Sequence, residues 1–150
     1  MSSPSRVGNR ESALAFDEPT VAAVAAKLLW QASRAESLAD YFEAALPIVS
    51  SAVGGEFLAL ASAESGRWTT VAGTGNVRPL PADLLAEVAD RETASVEATW
   101  IAVPLATRAQ AAALVLNCQP GTEPGKAMPL LASLAAAFEL LRGRRMLDPA

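Results

Sequence analysis

The chain has 150 residues, 51% of them apolar but only 5% aromatic, with a formal net charge of −4. That length suits one domain of about 100–200 residues, and twelve Lys and Arg against sixteen Asp and Glu offer no basic face for direct nucleic-acid binding. With no histidine and one cysteine, the chain lacks the parts of a Ser-His-Asp triad, a Cys-His dyad, an internal disulfide or a cysteine-rich zinc site.

Residues 1–16, rich in Ser, Arg, Asn and Gly, read as a flexible leader. Asp17 can cap a helix over 18–34, with Pro19 tolerated in its first turn. Val21, Val24 and Leu28 share one face of it, and Leu29 and Trp30 widen the stripe. Ser37 and Asp40 make a variant capping box for a second helix. Its apolar face is Leu38, Phe42, Ala45, Leu46, Val49 and Val53; Pro47 should kink it, and Gly54-Gly55 ends it.

Phe57–Ala63 and Arg67–Ala72 read as a hairpin around Glu64-Ser65-Gly66, followed by a Gly73–Asn76 loop. Pro81 opens a short helix to about Arg91, with Leu84, Leu85 and Val88 as its apolar contacts. A short strand is predicted at Ser95–Glu97. Trp100–Thr107 and Ala111–Cys118 are nearly continuous in apolar residues, as expected of strands covered on both faces. A Gln119–Gly125 loop precedes a last helix over about 127–144. One of its stripes holds Leu130, Leu134, Ala137 and Leu141; Leu131, Phe138 and Met146 lean toward another. Two stripes imply two partners: the sheet, and either the first helix or a second copy. Because much of the apolar content is alanine, Trp30, Phe42, Phe57, Trp68, Trp100 and Phe138 are expected to carry much of the packing.

Few residues carry chemistry. Gly73-Thr74-Gly75 lacks the third glycine of a dinucleotide fingerprint and reads as turn chemistry. Glu87 and Asp90 read as a solvated helix face, and Arg142, Arg144 and Arg145 as a charged helix end. Cys118 is expected to be a small buried hydrophobe, with a redox or heme-linked role as the rival reading. Trp68 and Trp100 are either core bulk or flat contacts for a small ligand. Arg78, Arg91 and Arg108 are surface residues or cations for an acidic ligand. The region 128–141 is too short for a bilayer span of about 20 residues. The first residues lack an apolar secretion signal, and a reducing cytoplasm fits a single cysteine.

The order of elements resembles a GAF domain, a small α+β sensor module of the PAS/GAF superfamily found in bacterial signalling proteins. The resemblance is carried by Phe57-Leu58-Ala59-Leu60 after the Gly-Gly break, by Trp68–Gly73, by Val103-Pro104-Leu105 and by Ala112–Leu116. It covers about residues 20–144, within a single domain over 17–146 followed by the start of a linker at 147–150. Ala112 stands where the family often has Gly, a minor departure. Pro104 suits an edge or a bulge. Without histidine the chain does not match the bilin-binding photoreceptors, and it lacks the Asn-Lys-x-x-x-Asp-like signature of the cyclic-nucleotide-binding type.

The resemblance implies a central antiparallel sheet, with N- and C-terminal helices on one face and a ligand pocket on the other. It implies a non-catalytic regulatory domain that binds a small molecule, dimerises, or does both to control an attached output domain such as a histidine kinase or transcription activator. The expected pocket residues are Trp68, Thr70, Leu84, Val88, Trp100 and Ala102. The expected homodimer interface is Val24, Leu28, Leu131, Leu134, Phe138 and Leu141. No cofactor or metal is identified, and no membrane contact is expected. The alternative is an interaction module whose pocket is degenerate and empty. A methionine sulfoxide reductase, an activity of some family members, would need a resolving cysteine that this chain lacks.

Overall fold

The computed structural model describes residues 18–105 and 110–147, with side chains placed between Val21 and Leu141 of those ranges. The expected leader, the Asp17 cap, Arg108, the 148–150 linker and the side chains of Arg142, Arg144, Arg145 and Met146 lie outside it.

Helix α1 spans Glu18–Arg34 and α2 spans Leu38–Val53. Ser37 caps α2: its side-chain oxygen accepts from the Asp40 backbone N–H at 3.1 Å. Gly54 closes it in the left-handed region at φ 64°, returning its N–H to the Ser50 carbonyl. Pro47 lies inside the helix as expected. Strands β1 (Gly55–Glu64) and β2 (Arg67–Gly75) form a hairpin. Ser65 and Gly66 both take positive φ, which matches the twist of the flanking strands in a two-residue turn.

Strand β2 runs through Gly73-Thr74-Gly75, which the sequence had as a loop. The longer β1 draws these residues into register, with Gly73 opposite Ala59 and Gly75 opposite Phe57. Glycine is what permits it. A Cβ on Gly75 would sit 2.2 Å from the Glu56 carbonyl oxygen.

Helix α3 spans Ala82–Arg91; β3 (Ser95–Glu97), β4 (Trp100–Leu105) and β5 (Ala112–Cys118) follow. A 3-10 turn at Pro124–Ala127 leads into α4, Met128–Leu147, so the last loop is shorter than expected. The sheet order is β2-β1-β5-β4-β3, antiparallel throughout. Pro104 pairs with Ala113 beyond the reach of β3, where β4 is itself an edge and a missing donor costs little.

Two apolar layers flank the sheet. On one face α1, α2 and α4 bury Leu28, Phe42, Leu46, Leu130, Leu134 and Phe138 against Leu58, Ile101, Leu114 and Leu116. On the other, α3 buries Leu84, Leu85 and Val88 against Phe57, Ala59, Ala102, Ala113 and Val115. Each fully buried Leu, Val or Phe contributes about 1.5–3 kcal/mol, so the three-helix layer dominates stability. β5 is buried along its whole length, as its unbroken apolar sequence requires.

One expectation about large side chains changes, and the last helix meets one of its two expected partners. Trp30 is 59% exposed on the outer side of α1, its ring under the Arg34 guanidinium at 5.4 Å, so it is not core bulk. The second stripe of α4 is turned inward: Leu131 and Phe138 join Leu134 and Leu141 in the chain's own core, where α1 packs on α4.

Candidate functional site

The expected pocket residues divide. Leu84, Val88 and Ala102 are buried together under α3, and Trp68 and Trp100 pack half-buried at the margins of that cluster. Thr70 is exposed. It shares the α3 face with Trp68, since Thr70 pairs with Ala61 and Trp68 with Ala63. The first three residues are thus engaged in holding α3 to the sheet.

Trp100 alone of the six lines an opening at one end of the sheet, where β1 begins and β5 ends. This is a cleft of about 420 Å³. Trp100 and Asn117 face each other across β4 and β5 and form its floor. Asn117 is buried, and its side-chain amide donates to the Thr99 hydroxyl oxygen at 2.9 Å. One wall is the Glu56–Arg78 ion pair at 3.7 Å. Asn76 fastens that wall twice: its backbone N–H donates to the Glu56 carbonyl at 2.9 Å and its side-chain amide to the Glu56 carboxylate at 3.3 Å. Cys118 and Pro120 close the other side.

The cleft therefore gathers an indole face, an amide, a hydroxyl and a guanidinium. Arg78 is half-exposed and only partly engaged by Glu56, so it can turn toward an anionic group. Cys118 is buried, and burial pushes its thiol up from the ordinary value, which keeps it protonated and weakly nucleophilic. Arg91 is held by Glu87 on the exposed side of α3 at 3.5 Å and does not line this cleft. Among the described residues, no group of three or more His, Cys, Asp and Glu is placed to hold a metal ion.

Sequence reasoning named Trp100, Arg78 and Cys118 but not Glu56, Thr99 or Asn117. Asn117 carried a signal: it is the one polar residue within Ala112–Cys118, and a polar side chain inside a buried strand requires a partner.

The six residues expected between two copies lie inside one. Val24, Leu28, Leu131, Leu134, Phe138 and Leu141 are all buried in the three-helix layer. Among the described residues, the large outward-facing apolar side chains of the terminal helices are Leu29 and Trp30 on α1 and Leu140 on α4.

No family model matches the chain, and none of the curated proteins does. Solved structures do. The GAF domain of a phosphoenolpyruvate-protein phosphotransferase from Acinetobacter superposes with a TM-score of 0.64 at 14% identity, covering 87% of this chain and 98% of that one. The GAF domain of the same kind of enzyme from Coxiella burnetii gives a TM-score of 0.64 at 12% identity, covering 84% and 95%. Together with the five-stranded antiparallel sheet and its helical layers, these similarities establish that this chain carries the GAF fold.

Proposed function

We propose that this chain is a non-catalytic regulatory domain that binds a small polar molecule in the cleft at the end of the sheet. The observation that carries this reading is the convergence of Trp100, Asn117, Thr99 and the Glu56–Arg78 pair on one opening. A concave site with an aromatic floor and a few fixed polar groups is the usual form of a small-molecule site. The solved structures it resembles are domains cut from phosphotransferases, which agrees with a module attached to an enzyme rather than being one. The ligand would carry a flat portion for the indole and an acidic group for Arg78. Its binding would bias an attached output domain through α1 and α4. No described helix is long and apolar enough to cross a membrane, and a cytoplasmic setting is part of this proposal.

Native mass spectrometry of the freshly purified chain tests it. An added mass that is lost on denaturation, and absent from Trp100→Ala and Arg78→Ala, supports the site. An adduct retained by both variants would place binding elsewhere.

A second reading is an assembly module. It is favoured by Leu29, Trp30 and Leu140, which are large, apolar and outward-facing. Light scattering on the chain and on the Leu29→Glu, Leu140→Glu double variant decides it: a dimer that becomes a monomer supports this surface, and a dimer that persists rejects it.

A further inference from the structure

A second cavity lies on the opposite face of the sheet from the cleft and shares no lining residue with it. It holds about 460 Å³ between α2 and the edge strand β2, with α4 reaching it through Phe138. A bulge lies along its sheet wall. Leu60 pairs with Ala72 while Ala61 pairs with Thr70, so Val71 is an extra residue in β2. Beyond the bulge the faces exchange, and Ala72 and Thr74 are turned toward the helices. A methyl and a threonine are too short to fill the gap to Phe42 and Leu46, and the space stays open.

The walls are apolar: Phe42, Leu46, Leu60, Val71 and Phe138. Among the described residues, Glu43 is the one ionisable residue that lines it, and it lies exposed at the rim. Volume and lining match the roughly 300–1,000 Å³, mainly hydrophobic form of small-molecule sites. The single carboxylate repels an anion and accommodates a neutral or cationic group.

We infer that this cavity is a second binding site, for a small lipophilic molecule without negative charge, seated between α2 and β2 against Phe138. Such a molecule would touch α2, the sheet edge and α4 at once. It is independent of the polar cleft, and either site can fail without the other.

The test uses two fluorescent probes with a common skeleton, neutral N-phenyl-1-naphthylamine and its sulfonated anionic relative 1-anilinonaphthalene-8-sulfonate. The neutral probe is expected to bind saturably, one per chain, and at least about tenfold more tightly than the anion, a difference of about 1.4 kcal/mol. Glu43→Gln should narrow that gap. Ala72→Phe, which fills the space from the sheet side, should abolish binding. In case Ala72→Phe does not fold, Thr74→Leu should weaken binding severalfold. Methyl NMR of the unaltered chain gives a readout free of mutation: the neutral probe should shift Leu46, Leu60 and Val71 and spare Leu84, Leu85 and Val88. Non-saturable binding, shifts on the α3 face, or full affinity in a folded Ala72→Phe would overturn the site. So would loss of probe binding as protein concentration rises with self-association, which would make the groove a contact between copies.

Discussion

The rings of Phe42 and Phe138 meet with centroids 6.0 Å apart at 42°, and this contact ties α2 to α4 beside the apolar cavity. Phe138 is therefore a core residue whose loss opens a cavity. Phe138→Ala should cost about 3–5 kcal/mol, and Phe138→Glu should unfold the chain rather than separate copies of it. Leu140→Glu, two positions on and facing outward, should change stability by no more than about 0.5 kcal/mol. Urea denaturation of the three variants checks this; a Phe138→Ala loss under about 1 kcal/mol would contradict the packing.

Tyr41 is fully buried against Phe42, and its hydroxyl finds no hydrogen-bond partner among the described residues. Burial pushes its pKa well above the ordinary phenol value near 10. The unfolded chain ionises this phenol near its ordinary value, whereas the fold retains the proton. The contribution of the neutral phenol to stability is therefore complete below about pH 10 and lost as pH rises through the folded value. As Tyr41 is the chain's one tyrosine, phenolate absorbance during an alkaline titration reports it alone, and ionisation should coincide with unfolding. Tyr41→Phe should remove that alkaline step and leave neutral-pH stability equal or higher by about 1 kcal/mol, since an unpaired hydroxyl no longer needs desolvation.

Gly75 and Gly66 both have positive φ but different surroundings. Gly66→Ala meets nothing within 4 Å and should cost only the left-handed strain, about 1–2 kcal/mol. Gly75→Ala drives a Cβ into the Glu56 carbonyl and should cost distinctly more, while parting the end of the hairpin that holds the Glu56–Arg78 wall. Thermal melts rank the two, and equal losses would argue against the close approach.

Cys118 should react slowly with a disulfide reagent at neutral pH, much slower than a free thiol in solution, because it is buried and its thiol is held protonated. Stoichiometric reaction should appear only in denaturant. Rapid labelling of the native chain would show that the end of β5 opens in solution.

Much of the fold was legible in local patterns. The Ser37 cap, the Gly54 stop, the Ser65-Gly66 turn and the apolar run of Ala112–Cys118 each follow from backbone chemistry within a few residues, and each stands in the structure where the sequence put it. The GAF fold was likewise readable from the order of these elements. Periodicity could also tell that α4 is apolar on more than one side. It could not tell what meets those sides: Leu131 and Phe138 are buried in the same chain's helical layer, with Phe138 against Phe42 of α2, and Leu140 is left outward. A helical pattern records which residues avoid water, not which neighbour removes it. The sites were decided at the same level. The cleft joins Glu56, Arg78, Thr99 and Asn117 from four stretches of chain, and one extra residue at Val71 exchanges the faces of β2 and decides which of its residues line the apolar cavity. Register, bulges and the meeting of distant strand ends are set by the packing of the whole sheet, so only the tertiary structure could place them.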